Sequence, residues 1–329
     1  MLHLYKEIKT GRSRLRDSSL TEATEAMSVR LEAAAENSVA QGDELMSDVG
    51  GWVPAGASDG EIVADGLRVR CVRAGSGPAL LLVHGLLGYS FSWRFNLGAL
   101  AEKFSVYAPD LPGIGFSERR PGMDGSLGAA AGRMEKFLDA AGVNDFHLLG
   151  TSHGGALAIL LAARLRERVR RLVLVAPANP WSRHGRWLVP VLATGGGRAL
   201  VRGVVALPWL HSWRLREMYG DPRRIAPGTI EGYERPIPLP GTAEYVHAIL
   251  RHWRSDMPRL EGALAEIADL PTLLLWGDRD RLVFPQSAHE LERRLRRAEL
   301  AMFPGAGHLP YEEFPEEFNR AVTAFLVRS

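Results

Sequence analysis

The stretch "LLGTSHGGALAI" places Ser152 between two glycines, Gly150 and Gly154, in the pattern G-x-S-x-G. The run "FHLLG" before it is typical of a buried strand, and "GGALAILLAARLRE" after it is typical of a helix. A strand that turns sharply into a helix needs residues without a Cβ where the two backbones cross. The side chain at such a turn then projects out of the sheet. The pattern therefore predicts that the Ser152 hydroxyl is exposed at a helix N-terminus, in the position of a nucleophile.

A serine hydroxyl attacks a carbonyl efficiently only when a base takes its proton and an acid orients that base. The loop "FPGAGHLPYEEFP" supplies His308 after the last predicted strand, and "LLLWGDRDRLVFP" supplies Asp280 just past the strand before it. Asp278 competes with Asp280 for the role of the acid. Serine enzymes built on α/β sheets carry the three groups in the chain order Ser, Asp, His, which is the order found here.

The negative charge that develops on the substrate oxygen needs hydrogen-bond donors. In "LLVHGLLGYSFSW" the backbone after His84 and Gly85 can supply one donor, the N–H of Leu86, and the N–H of His153 can supply the other. The His153 side chain is a poorer choice as the base, because adjacent side chains on a helix do not face each other. We therefore predict an oxyanion hole formed by Leu86 and His153.

The elements that must position these groups alternate along the chain from residue 61 onwards. The segment "EIVADGLRVRCVRAG" predicts a hairpin around Asp65 and Gly66. Short apolar runs then alternate with helical patterns; the runs are "PALLLVHG", "SVYAPDL", "FHLLGTS", "RRLVLVAP" and "TLLLWG". Apolar strands that alternate with helices indicate a parallel sheet with helices on both faces.

Four segments are predicted. Residues 1–55 form an N-terminal helical arm and linker, and residues 56–180 form the first part of the α/β core. Residues 181–262, hereafter the insertion, hold five of the eight tryptophans and no clear buried strand, which predicts a helical lid. Within it, Gly195 to Gly197 are a candidate hinge. Residues 263–329 complete the core.

Five motifs together resemble the α/β-hydrolase fold superfamily, in its serine hydrolase (esterase- and lipase-like) branch. The resemblance covers roughly residues 60 to 329, and the motifs are His84-Gly85, "DLPGIGFS", the serine between glycines, "WGDRD" and "GAGHLP". It implies a mostly parallel eight-stranded sheet, a lid after the sixth core strand, no metal and no organic cofactor. The family spacing W-G-x-x-D favours Asp280 over Asp278. The turn after the sixth strand, "APANP", carries Asn179 and no carboxylate, which favours Asp280 again.

The predicted activity is cofactor-free hydrolysis of carboxylic esters of small to medium lipophilic substrates through an acyl-enzyme. Substrate contacts are expected from Leu87, Trp93, Trp187 and Leu309. Haloalkane dehalogenases and epoxide hydrolases of this fold use an aspartate nucleophile, so Ser152 argues against both. A carbon–carbon bond hydrolase of ring-cleavage products, a perhydrolase and a non-catalytic binding protein of the same fold stay open as alternatives.

Composition and charge limit the kinds of partner that are expected for this chain. The chain has 329 residues, a formal net charge of +2 and a single cysteine, Cys71, so neither a disulfide framework nor a multi-cysteine metal site is expected. No apolar stretch is long enough for a membrane span, and we expect a cytoplasmic protein with a small-molecule ester substrate, no nucleic acid and no stable membrane insertion. A homodimer through the N-terminal arm or the lid is left open. The insertion carries twelve arginines against seven acidic residues. That excess suits either arginine bias or attraction of anionic substrates.

Overall fold

One eight-stranded sheet organises the chain from residue 58 to residue 303. The computed structural model describes residues 49–181 and 189–328. The strands lie in the order β1-β2-β4-β3-β5-β6-β7-β8. Their bounds are β1 Ser58–Ala64, β2 Leu67–Ala74, β3 Ala79–Val83, β4 Ser105–Pro109, β5 Phe146–Thr151, β6 Val169–Val175, β7 Thr272–Gly277 and β8 Ala298–Phe303.

The strands from β4 to β8 are all parallel, and only the β1–β2 and β2–β4 pairs are antiparallel. The β1–β2 hairpin turns at Asp65 and Gly66, whose φ angles of 51° and 75° lie in the left-handed region that Asp and Gly tolerate. The prediction of a mostly parallel, eight-stranded α/β sheet is confirmed.

Helices fill the connections between strands. Their bounds are α1 Leu97–Ala101, α2 Leu127–Ala140, α3 Ser152–Arg164, α4 Val189–Leu192, α5 Gly195–Val205, α6 Pro208–Met218, α7 Thr229–Glu234, α8 Thr242–Glu266, α9 Gln286–Arg294, α10 Pro310–Glu313 and α11 Pro315–Leu326. Short 3-10 turns occur at Val49–Trp52, Ser90–Trp93 and Pro222–Arg224. None of the described helices is long and apolar enough to cross a lipid bilayer.

Two apolar layers cover the two faces of the sheet. Successive residues of β5 point to opposite faces, so Leu148 joins one layer and Leu149 the other, and both are fully buried. Helices α2, α3 and α8 pack on the first face, whereas α1 and α11 pack on the second. Burial on both faces explains why the strand sequences are continuously apolar rather than alternating. Cys71 lies in β2, buried and without a disulfide partner.

Between β6 and β7 the described chain forms helices α4 to α8. The predicted boundary at residue 262 falls inside α8, because Leu260 and Leu264 of that helix pack into the core of the sheet. The candidate hinge at Gly195 to Gly197 is the first turn of α5, capped by the Thr194 hydroxyl, which accepts a hydrogen bond of 3.0 Å from the Gly197 N–H. A Cβ on Gly197 would lie 2.3 Å from the Val191 carbonyl oxygen, so glycine is required there by close packing. The predicted arm, up to residue 48, lies outside the described residues.

Candidate active site

Ser152 is the first residue of α3 and follows β5 directly. Its φ angle is +54°, a left-handed conformation that costs free energy for a residue with a Cβ and that recurs at functional sites. A Cβ on Gly154 would lie 2.2 Å from the His84 carbonyl oxygen, and one on Gly150 would lie 2.5 Å from the Gly154 carbonyl oxygen. Both flanking glycines are therefore needed for the backbones to cross, as the sequence pattern implies.

His308 and Asp280 meet in the loops that follow β8 and β7. The Nδ1 atom of His308 lies 2.7 Å from Oδ2 of Asp280, and both side chains are fully buried. The other oxygen of Asp280 accepts hydrogen bonds from the backbone N–H groups of Leu282 and Val283, at 2.8 and 3.0 Å. Since an ionised carboxylate only accepts, Nδ1 carries the hydrogen, and Nε2 is the basic nitrogen of the ring.

The Nε2 atom of His308 is buried and has no hydrogen-bond partner among the residues that the structure describes. No hydrogen bond therefore joins it to the hydroxyl of Ser152. A buried polar atom without a partner costs free energy, and such atoms persist where function uses them. Catalytic hydrogen bonds are often long in a free enzyme and tighten when substrate binds. Ser152, Asp280 and His308 all follow the carboxyl ends of parallel strands, which places them at one edge of the sheet.

Asp278 has a different partner from Asp280. Its Oδ1 atom accepts a hydrogen bond of 2.7 Å from the backbone N–H of Gly305, in the loop that leads to His308. The carboxylate that touches the imidazole is that of Asp280. The geometry thus separates the two competing acids: Asp280 orients His308, and Asp278 secures the start of its loop.

His84 holds the loop that faces the nucleophile. Its Nε2 atom accepts a hydrogen bond of 2.8 Å from the Leu111 N–H, so Nδ1 carries the hydrogen and donates to the Gly85 carbonyl, also at 2.8 Å. Burial lowers the pKa of His84, which favours this neutral form. A Cβ on Gly85 would lie 3.3 Å from Cβ of Ser152, a tight contact, so a larger residue there would press the loop away from Ser152.

The two predicted oxyanion donors lie in suitable backbone positions. Leu86 follows Gly85, and within residues 49–181 and 189–328 no atom accepts a hydrogen bond from its N–H. His153 is in the first turn of α3, where backbone N–H groups have no partner inside the helix. The φ angle of Leu87 is +59°, so the loop turns sharply just after Leu86. Both donors stay a prediction, with geometry that permits it.

A buried ion pair contacts the 3-10 turn that follows the loop of His84 and Gly85. Asp110 and Arg70 are both fully buried, and Arg70 Nη1 lies 3.2 Å from Asp110 Oδ2. The Asp110 carboxylate also accepts hydrogen bonds of 2.8 Å from the N–H groups of Ser90 and Phe116. Asp110 thus fixes the start of the 3-10 turn at residues 90–93 and serves the architecture rather than the chemistry.

Glu313 secures the histidine loop, which sequence reasoning missed. Its carboxylate is buried and accepts hydrogen bonds from the Gly307 N–H at 2.6 Å, the Gly220 N–H at 3.0 Å and the Asp221 N–H at 3.2 Å. Gly307 immediately precedes His308, whereas Gly220 and Asp221 belong to the insertion. A single carboxylate therefore ties the insertion to the loop that carries the base. The only sequence signal was a pair of acids in "HLPYEEFP", which resembled an ordinary helix start.

Three glycine backbones meet at Gly307, the residue that precedes His308. A Cβ on Gly277 would lie 2.0 Å from the Gly307 carbonyl oxygen, and a Cβ on Gly307 would lie 2.5 Å from the Gly220 nitrogen. The His308 N–H donates a hydrogen bond of 2.6 Å to the Met218 carbonyl at the end of α6. Thus the end of β7 and the insertion both contact the histidine loop through backbone atoms.

Glu312, the neighbour of Glu313, makes a second link to the insertion. Its carboxylate lies 2.7 Å from Nη2 of Arg94 and also accepts hydrogen bonds from the hydroxyls of Tyr219 and Tyr233. The same Arg94 nitrogen donates to Thr229 at 2.9 Å. Because Tyr219, Thr229 and Tyr233 all belong to the insertion, buried charge-assisted contacts join it to Arg94 and to the helix that follows His308.

The structure describes three of the four residues that are predicted to contact substrate, and these three differ in burial. Leu87 is half-buried beside the oxyanion loop, and Leu309 is almost fully buried at the start of α10. Trp93 has no accessible surface, since its ring packs in the core with its centroid 4.9 Å from that of Tyr311. The structure therefore does not bring Trp93 to a surface that a substrate can touch. Trp187 lies outside the described residues.

Acidification is expected to destabilise the fold through His153. Burial, with a smaller effect from His84, lowers the pKa of His153 from 6.5 to about 4. The imidazole of His153 therefore binds a proton in the unfolded chain at pH values at which it stays neutral in the folded chain. As the pH falls from 6.5 to about 4, the free energy of unfolding is expected to decrease by about 3 kcal/mol at most.

Urea unfolding above pH 6.5 and near pH 4 checks this prediction. His153→Gln should lose less stability on acidification than the wild type. The exposed His289→Gln should behave as the wild type. An unchanged acid loss in His153→Gln would contradict the assignment.

No group of three or more His, Cys, Asp or Glu side chains within the described ranges is placed to hold a metal ion.

The model of the alpha/beta hydrolase family matches residues 80–321 of the chain. A 2-hydroxymuconate semialdehyde hydrolase of Pseudomonas sp. (strain CF600) is 27% identical over 276 residues, which cover 82% of this chain and 94% of that protein. Haloalkane dehalogenase 2 of Mycobacterium tuberculosis is 28% identical over 268 residues, 78% of this chain and 90% of that protein.

Solved structures extend the likeness. The crystal structure of a membrane phospholipase A, described as a bacterial virulence factor, superposes with a TM-score of 0.71 at 28% identity, covering 94% of this chain and 97% of that one. A meta-cleavage product hydrolase from Pseudomonas fluorescens IP01 superposes with a TM-score of 0.68 at 26% identity, covering 81% of this chain and 96% of that one. These relatives share a fold and hydrolytic chemistry but differ in the bond that they break.

Proposed function

Because this chain belongs to the alpha/beta hydrolase family, we propose that it is a cofactor-free serine hydrolase that cleaves carboxylic esters of small to medium lipophilic substrates. The observation that supports this most is the buried Asp280–His308 pair, which leaves Nε2 of His308 without a partner at the sheet edge where Ser152 lies. A base oriented in this way, with a serine on a strained turn, is the arrangement that acyl transfer needs.

In the proposed reaction, Oγ of Ser152 attacks the ester carbonyl while Nε2 of His308 accepts the hydroxyl proton. The N–H groups of Leu86 and His153 donate to the oxyanion, and loss of one such donor typically costs about 100- to 1000-fold in rate. His308 then returns the proton to the leaving alcohol. A water molecule, deprotonated by the same nitrogen, releases the acid and restores Ser152.

The named activities of the relatives define the competing proposals. The family's haloalkane dehalogenases use an aspartate nucleophile, whereas this chain has Ser152 at that position. Hydrolysis of a carbon–carbon bond in a ring-cleavage product is the second candidate, since two relatives carry that class of name. It uses the same Ser, Asp and His. The loop "HGLLG" and Leu309 after His308 depart from the pattern of those enzymes, so ester cleavage remains the first choice.

We expect kcat/KM to rise from acetyl to hexanoyl esters of one chromogenic alcohol. The reason is that Leu86 and Leu87 are half-buried apolar side chains beside the oxyanion loop, and an acyl chain that covers them gains about 0.8 kcal/mol for each buried methylene group.

The assay includes a 2-hydroxy-6-oxo-dienoate, the product of ring cleavage, and Ser152→Ala as a control for uncatalysed turnover. A steady preference for acetyl esters would contradict the lipophilic pocket. Faster turnover of the dienoate than of every ester would replace the proposal by its second candidate.

A further inference from the structure

Helices α5 and α6 expose apolar side chains to solvent. In and just after α5, Leu200, Val204 and Leu207 recur at steps of four and three residues, so they share one side of the helix, and 39–50% of each side chain is exposed. In α6, Trp209 and Trp213 are 65% and 50% exposed. These five residues are the apolar face of the insertion.

The apolar face is not used to hold the insertion together. Helix α5 contacts both α4 and α8, and its buried residues are Gly197 and Val201, neither of which belongs to the apolar face. The two helices of the face are joined at their meeting point, where Nε2 of His211 lies 3.1 Å from the Val204 carbonyl oxygen. The exposed leucines, valine and tryptophans are therefore apolar side chains whose exposure the fold itself does not require.

The charge around this face is strongly one-sided. Residues 189–218, which form α4 to α6, contain four arginines and one acidic residue, Glu217. Glu217 lies 3.5 Å from Arg281, outside these helices. Arg202 pairs with Glu244 of α8. Arg198 and Arg216 are exposed and form no ion pair within the described residues, whereas Arg214 is partly desolvated and interacts with Glu217 and Asp280.

We propose that the apolar face of the insertion binds the surface of a phospholipid bilayer that contains anionic lipid. Tryptophan concentrates at the level of the headgroups, where its ring is buried and its N–H stays hydrated. Guanidinium groups pair with lipid phosphates in two-point contacts. Exposed tryptophans beside unpaired arginines on adjacent helices are the composition of a protein surface that lies in the interface without crossing it.

Charge favours this occupant over a second copy of the chain. Two copies that met through the apolar face would bring their unpaired arginines together, which opposes association. An anionic bilayer neutralises the same arginines. The inference does not depend on the proposed ester hydrolysis, because no residue of the apolar face belongs to the catalytic group. Ser152→Ala should bind lipid as the wild type does, so the two proposals can fail separately.

Co-sedimentation of the full chain with vesicles tests this surface. We expect binding to vesicles of phosphatidylcholine mixed with phosphatidylglycerol and much weaker binding to phosphatidylcholine alone. Trp209→Ser with Trp213→Ser should lower the partition coefficient by about tenfold or more. Arg198→Gln with Arg216→Gln should weaken binding to the anionic vesicles and leave binding to phosphatidylcholine unchanged.

A matched control replaces two apolar side chains that are equally exposed but lie elsewhere. Val63→Ser with Val327→Ser removes side chains that are 62% and 57% exposed, and this variant should bind as the wild type does. Thermal unfolding of each variant shows that the fold is kept. Three results would overturn the proposal: no binding by the wild type, equal loss in the control, or tryptophan variants that bind normally. Self-association without lipid that the tryptophan variants abolish would identify a second copy as the occupant instead.

Discussion

Replacing Ser152 with alanine is expected to lower kcat/KM for ester hydrolysis by at least about 1000-fold and to leave the protein folded. Alanine keeps the Cβ that the turn already accommodates at a φ of +54°, and it removes only the attacking oxygen. The melting temperature should therefore stay near that of the wild type. A fluorophosphonate probe should label the wild type once and should not label the variant.

The other two members of the site sharpen this prediction. His308→Ala and Asp280→Ala should also be strongly impaired, and Ser152→Ala with His308→Ala should be hardly worse than either alone, since the groups act as a unit. Asp278→Asn is the matched control, because its carboxylate contacts the Gly305 N–H and not the imidazole. Full activity in Ser152→Ala would refute the mechanism. Activity lost in Asp278→Asn but kept in Asp280→Ala would move the acid.

Glu313→Gln is expected to lower kcat by about 10- to 100-fold with little change in KM. The carboxylate accepts hydrogen bonds from three backbone N–H groups, of Gly307, Gly220 and Asp221. A glutamine turns an NH2 group towards one of these donors, and the loop must move to relieve the contact. Because Gly307 adjoins His308, the movement shifts the base. Glu316→Gln, an exposed acid at the start of α11, is the control and should be fully active.

The pH dependence of stability separates this positioning role from a general loss of structure. Burial raises the pKa of Glu313, and its three backbone hydrogen bonds oppose that effect without cancelling it. A raised folded-state pKa stabilises the fold below the unfolded-state pKa, ordinarily about 4.5, and this contribution disappears as the pH rises through the folded-state pKa. Relative to the wild type, Glu313→Gln should therefore gain stability as the pH rises from acid to neutral. An equal difference in unfolding free energy at both pH values would contradict the prediction.

Local pattern was enough to predict the sheet and to select three chemical groups. Period, length and turn residues identify strands and helices because they depend on neighbours along the chain. The glycines around Ser152 are informative for the same reason: the clash that each would cause with a side chain involves a crossing dictated by the turn itself. Loops that follow parallel strands meet at one edge of the sheet, which brings Asp280 and His308 into consideration, but the choice of Asp280 over Asp278 depends on the spacing W-G-x-x-D of the family that the chain resembles.

Contacts between distant segments could not be predicted in this way. Nothing local distinguishes Glu313 from the exposed Glu316, yet one accepts three backbone hydrogen bonds and the other faces solvent. Trp93 sat in a motif loop and was expected to touch substrate, whereas the packing of Tyr311 against it leaves it no accessible surface. The glycines at 195–197 suggest a hinge from the sequence, but the close approach of α4 gives the last of them, Gly197, a packing reason to be glycine.

The sequence by itself therefore determined the α/β sheet and the strained turn at Ser152, and it selected His308 and Asp280, which the structure places in contact, as the proposed base and acid. Only the tertiary structure decided how the insertion meets the site, through the backbones of Gly220, Gly277 and Gly307 and the carboxylates of Glu312 and Glu313. The contacts of Glu313 with Gly220 and of Glu312 with Arg94 join residues that are 93 and 218 positions apart. The physical reason is that a buried charged group needs hydrogen-bond or ion-pair partners, and folding alone brings those partners together from distant segments.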